Sequence, residues 1–139
     1  MHYPLVTNYQ EVTIFVYTLL EMEKNNAEIS EHCKMSIVGI RDVQDIMGGK
    51  WKYMIVTALY FSGKMRFMDL KRLINKIAPK VLSKELKDLE LSNLVTRTVC
   101  DTKPITVEYE LTDLGNSLNI IIKAMGDWGL KYRQSISRK

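Results

Sequence analysis

Gly48, Gly49 and Lys50 are residue types that bind phosphate groups when their spacing is right. A phosphate-binding loop has the spacing G-x-x-x-x-G-K-[ST], in which backbone N–H groups surround the phosphates and a hydroxyl reaches the metal ion. In this chain Gln44 stands at the first glycine position, and Trp51 stands where the hydroxyl is required. The sequence therefore disfavours a nucleotide site, and a glycine joint between two helices is the alternative interpretation.

Two other pairs of polar residues have the spacing of a reactive site but lack the partners that such a site needs. Asp42 and Asp45 share a helix face, as an acid/base pair would, yet no nucleophile or cleft signature accompanies them. His32 and Cys33 offer two ligands, whereas a zinc site needs four protein ligands, or three and a water. We therefore expect no catalysis, no metal site and no cofactor.

The two cysteines, Cys33 and Cys100, lie far apart and form no disulfide framework. Residues 1–10 contain no Lys or Arg, so they lack the basic region of a secretory signal, and we expect a reduced, cytoplasmic protein. His32 and Lys34 flank Cys33, and a cationic neighbour favours the reactive thiolate. Cys33 is therefore a candidate redox sensor, with a structural cysteine as the alternative.

Basic residues are concentrated in the middle of the chain. Residues 48–104 contain twelve Lys or Arg and five acidic residues, a net charge of +7 in a chain whose net charge is +4. A basic centre is typical of a module that binds a polyanion, although scattered surface lysines give the same count.

The length of 139 residues suits one domain with a hydrophobic core. The longest apolar run, residues 12–20, is far shorter than the roughly 20 residues of a membrane-spanning helix, so no membrane role is expected.

The apolar pattern predicts a mostly helical chain with one β-hairpin. Apolar residues at helical spacing predict helices over residues 9–24, 36–47, 50–61, 68–75, 79–93 and 113–134. Residues 24–34 have the composition of a polar turn, and residues 64–67 are expected to pair at a sheet edge. Alternating residues predict strands over 94–100 and 107–112, joined by a turn that contains Pro104. We expect Leu70, Leu73 and Ile74 to face the core.

The helix predicted to begin at Pro79 carries the clearest functional pattern. At 3.6 residues per turn, its leucines form one stripe and its lysines lie on the opposite face. The stripe consists of Leu82, Leu86 and Leu89, and the outward face consists of Lys80, Ser83, Lys84 and Lys87. In a helix-turn-helix, such a face follows a short helix and a tight turn and enters the DNA major groove. The solvated face of any surface helix has the same pattern, so this alternative stays open here.

The hairpin adds a second basic element. Its turn carries Lys103, and its first strand carries Arg97, so its tip could reach the sugar-phosphate backbone beside the groove. A helix-turn-helix followed by a basic hairpin is a winged helix. The hairpin therefore favours the DNA-binding interpretation.

Taken together, these segments resemble the HxlR-type winged-helix transcriptional regulators, a family related in fold to the MarR regulators. The matching segments are residues 48–51 (GGKW), 66–74 (RFMDLKRLI), 80–90 (KVLSKELKDLE), 94–99 (LVTRTV), 107–115 (VEYELTDLG) and 128–129 (WG). They extend over roughly residues 37–130 in the order that the family has. The resemblance implies a bacterial homodimer that binds DNA, and a glycine pair that joins two helices.

Three positions depart from the family pattern. Ala78 stands where the family usually has a capping Ser, so the recognition helix lacks a cap typically worth about 1 kcal/mol. Asn93 replaces the usual Gly after that helix, and Asn adopts the left-handed conformation readily. Thr106 takes the place of a common wing Arg, which is expected to weaken one phosphate contact.

We therefore expect an α+β, mostly helical fold: a winged helix-turn-helix with additional N- and C-terminal dimerisation helices. Residues 1–36 form the N-terminal extension, 37–112 the DNA-binding core and 113–139 the C-terminal dimerisation helix. The expected DNA-binding residues are Lys80, Ser83, Lys84, Lys87, Arg97, Lys103 and Thr106. The expected partners are a second copy of the chain, an operator with inverted repeats and an unidentified small-molecule or redox inducer. The rival hypothesis is a protein-interaction module that keeps the fold without binding DNA. It is suggested by the missing wing Arg at Thr106 and by the acids Glu85 and Asp88 on the recognition helix.

Overall fold

The computed structural model describes the backbone of residues 9–137 and the side chains of residues 13–26 and 30–137. The elements in chain order are α1 (Tyr9–Met47), α2 (Lys52–Ser62), β1 (Met65–Arg66), α3 (Phe67–Ile74), α4 (Pro79–Leu91), β2 (Val95–Cys100), β3 (Thr106–Leu111), α5 (Asp113–Ser117) and α6 (Asn119–Ile136). These elements form two compact units that divide between Asp45 and Ile46. The mostly helical α+β fold that the sequence predicts is confirmed.

The first helix, α1, is one continuous element of 39 residues. The prediction of a turn over residues 24–34 is therefore wrong. That segment is polar, but it contains neither proline nor glycine, and its Glu, Lys and Ala residues are good helix formers. An ion pair one turn apart, between Glu31 and Lys34 at 2.8 Å, adds local support. The predicted functional border at residue 36 falls inside this helix and stays a prediction.

The glycine pair joins two helices, as the sequence predicts. Helix α1 ends at Met47, and α2 begins at Lys52. Gly49 has a φ of 100°, a conformation that residues with a Cβ rarely adopt. Met47, at the end of α1, is 1% exposed and belongs to the hydrophobic core.

Leucine and isoleucine side chains from α2, α3 and α4 form the core beneath the helix-turn-helix. Its most buried members include Ile55, Leu59, Leu70, Leu82, Leu86 and Leu89. Burying each such side chain contributes about 1.5–3 kcal/mol. The prediction that Leu73 faces the core is wrong: Leu73 is 55% exposed, because Leu70 and the half-buried Ile74, four residues apart, occupy the side of α3 that faces the core. The leucine stripe of α4 is confirmed.

The sheet has the strand order β1-β3-β2, and both pairs are antiparallel. The hairpin pairs Val95 with Leu111 at its base and Cys100 with Thr106 at its tip. The predicted edge strand is confirmed as β1, which pairs Met65 with Tyr109. The hairpin and the edge strand both appear where alternation and turn residues predict them.

The link from α4 to β2 is a Schellman turn. Asn93 has a φ of 57° and donates its N–H to the Glu90 carbonyl at 3.0 Å, while Leu94 donates to Leu89 at 2.9 Å. The buried Leu94 packs its backbone against Gly115, where a Cβ would collide with the Leu94 carbonyl. Asn93 therefore performs the role that the family usually gives to glycine.

The C-terminal segment contains two helices, so the prediction of one continuous helix is wrong. The break lies at Leu118, which donates its N–H to the Gly115 carbonyl at 3.2 Å. On either side of it, the Ser117 hydroxyl donates to the Leu114 carbonyl at 2.6 Å, and the Asn119 amide donates to the Asn116 carbonyl at 2.7 Å. These side chains compete with the regular helical hydrogen bonds, which a pattern of apolar residues cannot reveal.

Candidate nucleic-acid interface

Helix α4 positions the outward basic face. Lys80, Ser83, Lys84 and Lys87 are all exposed, while Leu82, Leu86 and Leu89 anchor the opposite side in the core. The helix begins with Pro79 at its first position, and Ala78 supplies no side-chain cap. The uncapped start expected from the sequence is therefore confirmed. The orientation of α4 depends on its buried leucines rather than on its cap.

The turn before α4 is tight. Asn75 and Lys76 have φ values of 56° and 55°, and the Asn75 side-chain oxygen accepts a hydrogen bond from the Lys76 N–H at 2.8 Å. Ile77 follows and is 3% exposed, so it fastens the turn to the core. This turn fixes the angle at which α4 leaves α3.

One lysine of the basic face has an ion-pair partner on its own helix. The Lys84 ammonium donates to the Asp88 carboxylate at 3.0 Å, one helical turn away. This hydrogen bond, together with the charges of Asp88 and Glu85, raises the pKa of Lys84. The same hydrogen bond lowers the pKa of Asp88. Lys84 is therefore cationic and held close to an acid in the free protein.

Glu85 and Asp88 are directed towards Lys52 of α2. The Lys52 ammonium lies 3.8 Å from Glu85 and 3.7 Å from Asp88. Its side chain is only 12% exposed, and that of Glu85 is 15% exposed. These two acids therefore have a cationic partner on the neighbouring helix, which accounts for their presence on α4. Lys52 was not among the residues expected from the sequence.

The structure brings three of the expected DNA-binding residues together. Ser83 and Lys87 of α4 line a small polar cleft with Arg97 of β2. Glu90 and Tyr109 complete the lining of this cleft, whose volume is about 260 Å³. Arg97 thus lies beside the recognition helix rather than at the hairpin tip, and it extends the basic face of α4 onto the sheet.

The hairpin turn holds the remaining expected residues at a different place. Lys103 is exposed in the turn, next to Pro104. Thr106 is half-buried as a residue, and its hydroxyl hydrogen-bonds to the Thr102 hydroxyl at 2.9 Å. The Thr102 hydroxyl also lies 2.9 Å from the Pro104 carbonyl, so these hydroxyls stabilise the turn. Lys103 and Thr106 are not part of the cleft.

The candidate redox residue belongs to another region. Cys33 is an exposed free cysteine on α1, in the N-terminal unit, whereas Cys100 ends β2 and is partly buried.

Among the residues that the structure describes, no group of three or more His, Cys, Asp or Glu side chains could hold a metal ion. In the same part of the chain, no helix combines the length and the apolar character needed to cross a membrane.

Sequence reasoning missed the Lys52 contacts for a physical reason. The spacing of Lys84 and Asp88 is visible as a helical i,i+4 pair. Lys52, by contrast, meets Glu85 and Asp88 only because α2 packs beside α4, and nothing in the local sequence encodes that approach. The signal that the sequence offered was a lysine at the start of an otherwise apolar helix.

Comparisons with known proteins agree with this architecture. A family model described as HxlR-like helix-turn-helix matches residues 46–137. The Bacillus subtilis (strain 168) protein named uncharacterized HTH-type transcriptional regulator YdeP is 39% identical over 94 residues, which is 68% of this chain and 73% of that protein. The uncharacterized HTH-type transcriptional regulator BH0655 of Halalkalibacterium halodurans is 38% identical over 104 residues, covering 69% of this chain and 92% of its own.

Solved structures give the same result. The redox regulator HypR in its reduced form superposes with a TM-score of 0.66 at 32% identity, covering 73% of this chain and 99% of that one. The crystal structure of a putative HTH-type transcriptional regulator, YtcD, gives a TM-score of 0.64 at 36% identity, covering 68% and 96%. The family match covers the region from α2 to α6, including the turn, recognition helix and hairpin described above. The chain belongs to the HxlR-like helix-turn-helix family.

Proposed function

We propose that this chain is a transcriptional regulator that binds double-stranded DNA in a sequence-specific way as a homodimer. Helix α4 enters the major groove, and the β2–β3 hairpin contacts the sugar-phosphate backbone. The chain has no catalytic role and acts in the cytoplasm. The relatives named above are transcriptional regulators, which supports the regulatory part of this proposal.

The observation that carries the proposal is the exposed face of α4. Three of its four side chains are long and cationic, and all four are exposed, while the leucines behind them anchor the helix in the core. A rigid helix with outward lysines can follow the groove and place its side chains against base edges. Arg97, beside Lys87 in the cleft, adds a cation where the groove wall would lie.

The hairpin tip supplies contacts that carry no sequence information. Lys103 is exposed in the turn, so its ammonium can reach a phosphate. Thr106 is occupied with Thr102 inside the turn, so its proposed contribution is to shape the hairpin and to offer at most one hydroxyl to the backbone. We therefore assign positioning to the wing and base reading to α4.

We propose that the dimer interface uses α6 and α1. Large apolar side chains of α6 are exposed, including Ile120 at 74%, Trp128 at 67% and Leu130 at 61%. An open groove of about 770 Å³ between α2, α3 and α6 continues this apolar surface and contains Phe61 and Leu73. Exposed apolar surface of this extent marks an interaction site.

The N-terminal part of the interface rests on α1. Phe15, Leu19 and Leu20 are exposed at 38%, 43% and 55%. The side chain of Val12, which begins the predicted apolar segment, lies outside the described residues. Two copies related by a two-fold axis would bury the same patch on both chains, as closed symmetric dimers do.

Cys33 is proposed as the thiol through which oxidants control the regulator. Two observations support it: the residue is exposed, and the structural neighbour HypR is described as a redox regulator in reduced and oxidised forms. Treatment with hydrogen peroxide followed by mass spectrometry should modify Cys33 before Cys100. A Cys33→Ser variant whose DNA binding responds to peroxide as the parent protein does would contradict this role.

The proposed function is tested by a gel shift on random-sequence duplex at several salt concentrations, followed by selection of genomic fragments that the protein retains. We expect binding that weakens steeply with salt, because each lysine that meets a phosphate releases a counterion. We also expect the retained fragments to share one motif. Absence of binding at low salt would favour the rival hypothesis of a protein-interaction module.

A further inference from the structure

Helix α1 carries a row of residues with the regular spacing of a coiled coil. From Leu19 onwards the row advances by three and four residues in turn, which is the heptad spacing. N-terminal to Leu19 the helix is apolar on several sides, so the row is distinct only from this residue. The family match begins at residue 46, so the row lies outside it. This row, the α1 seam, consists of Leu19, Met22, Asn26, Ile29, Cys33, Ser36, Ile40 and Val43. The side chain of Ile29 lies outside the described residues.

The charged residues of this part of α1 avoid the seam. Residues 19–45 include nine Asp, Glu, Lys or Arg, and eight of them fall at the heptad positions b, c and f, away from the seam. Glu23 flanks the seam, but no acid stands across from it in a parallel pair, so no like charges meet. The outer positions also hold Leu20, Met35 and Val38. The seam is therefore marked by the absence of charge more clearly than by hydrophobicity alone.

The seam is not covered by the rest of the chain. Every described side chain of residues 13–42 is exposed, including Leu19 at 43%, Met22 at 57% and Ile40 at 60%. Most of the stability of a protein helix comes from packing one of its faces rather than from helix propensity. A helix of 39 residues that is exposed over this length therefore needs a second apolar surface.

We propose that residues 19–43 of α1 form a parallel, in-register coiled coil with a second copy of the chain, and that Asn26 fixes this register. The inference rests on the homodimer proposed above. Asn26 occupies a seam position, where a polar side chain needs a partner that shares its hydrogen bonds. In a parallel pair without offset, Asn26 faces its own copy. A shift by one heptad places it against Leu19 or Cys33 instead.

The connection to the helix-turn-helix favours the parallel orientation. Helix α1 ends at Met47, and α2 follows from Lys52. In a parallel pair both copies of Met47 lie at the same end of the coil, so both recognition helices can reach one duplex, as binding to an inverted repeat requires. In an antiparallel pair the two copies of Met47 lie at opposite ends of a coil of about seven turns.

Oxidative cross-linking of the full chain tests the orientation and the register. Cys100→Ser leaves Cys33, a seam residue, as the only thiol. Diamide joins two thiols as one disulfide and takes up their two protons and two electrons, becoming a hydrazine. This small oxidant reaches the seam from the sides of the coil, because a two-stranded seam is one side chain wide on each helix. We expect a covalent dimer that links Cys33 to its own copy, identified by non-reducing electrophoresis and mass spectrometry.

Other seam positions distinguish a parallel pair from an antiparallel one. With both native cysteines replaced by Ser, Met22→Cys and Ile40→Cys each place one thiol near an end of the seam. Lys24→Cys and Arg41→Cys place it at nearby outer positions and are the controls. A parallel pair should cross-link at residues 22 and 40 alike, roughly tenfold faster than at the controls, because seam thiols are held within disulfide reach. An antiparallel pair brings at most one seam position opposite its own copy.

Asn26→Leu tests the role of Asn26. Because Asn26, Cys33 and Ser36 are polar or small, the seam is weaker than an apolar one and adds to the α6 contact without replacing it. Asn26→Leu should lower the dimer dissociation constant roughly tenfold and permit larger assemblies, since leucine buries apolar area and no longer specifies a two-stranded pair. Lys24→Leu, at an outer position, should change the constant less than about twofold. Sedimentation over a range of concentrations measures both.

The outcomes separate the coiled coil from the proposed function. A parent chain that sediments as a monomer at micromolar concentration overturns both the homodimer and the coil. A dimer that cross-links at only one seam position, or equally fast at seam and outer positions, overturns only the coil. Weaker association of Asn26→Leu also overturns the role of Asn26. The gel shift on duplex DNA tests DNA binding independently of these results.

Discussion

Helices α4 and α6 both have an apolar side, but they use it differently. In α4, three leucines are at most 1% exposed, and the residues that face solvent are mainly charged. In α6, all of whose residues are described, none is buried, and the exposed residues include Ile120, Trp128 and Tyr132. Trp128 and Tyr132 stack with their ring centroids 5.3 Å apart.

This difference indicates two kinds of partner. The apolar face of α4 is satisfied within the chain, so its remaining surface is available for a polyanion. The apolar face of α6 is incomplete within the chain, so it needs another apolar surface to exclude water. Helix α4 is thus expected to determine which ligand the protein binds, and helix α6 is expected to determine how many copies of the chain associate.

Of the substitutions considered, Leu86→Ala should have the largest effect, which is a loss of free energy of unfolding. Leu86 is 1% exposed beneath α4, and truncation of a buried leucine costs about 2–5 kcal/mol in the free energy of unfolding. Leu91→Ala is the control, because Leu91 lies at the end of the same helix and is 77% exposed, and it should cost less than about 1 kcal/mol. Urea denaturation of both variants measures the difference. Equal losses would mean that α4 is not held by its leucine stripe.

Trp128→Glu should separate the two copies. A buried interface tryptophan is worth about 2–4 kcal/mol, so the dimer dissociation constant should rise roughly 30-fold or more. Thr96→Glu places the same charge at an exposed position of β2, outside α1 and α6, and should leave assembly unchanged. Sedimentation at micromolar concentration measures both. If the parent protein is already a monomer, or if both variants remain dimers, α6 is not the interface.

Lys84→Ala should reduce discrimination between DNA sequences. Loss of a base contact is expected to weaken operator binding by about tenfold, with a smaller loss on scrambled duplex. Titration of both duplexes at matched salt gives the ratio. A uniform loss on both would show that Lys84 meets a phosphate instead of a base.

Lys103→Ala should have the smallest effect. Lys103 lies in the hairpin turn, away from the cleft that joins α4 to β2, so it is expected to meet only phosphate. Its removal should weaken binding evenly on all sequences and flatten the salt slope by about one counterion. A change in the operator preference of this variant would assign base reading to the wing.

Local patterns predicted the parts of the fold that local physics determines. Pro79 begins α4, the alternating strands form the hairpin, and Gly49 adopts the left-handed conformation between two helices. The break at Leu118 escaped prediction because side-chain hydrogen bonds from Ser117 and Asn119 compete with the helix, whereas apolar spacing continues through it.

Of the candidate site, the sequence predicted only the part that depends on local helical structure. Helical periodicity assigns Lys80, Lys84 and Lys87 to one exposed face, and the structure agrees. The approach of Arg97 to Lys87 and the contact of Lys52 with Asp88 depend on how separate elements pack. Such contacts are set by tertiary structure, which no single segment of the sequence specifies.

A footprint of the protein on a retained genomic fragment tests the central claim most directly, because it reports the basic face of α4 and the two-fold assembly together. We expect two protected half-sites in inverted orientation, with centres separated by one helical turn, about 10 bp, or a multiple of it. Protection of both half-sites should disappear together in the Trp128→Glu variant. Protection of one unrepeated half-site, or no protection at a salt concentration that permits random-duplex binding, would contradict the account.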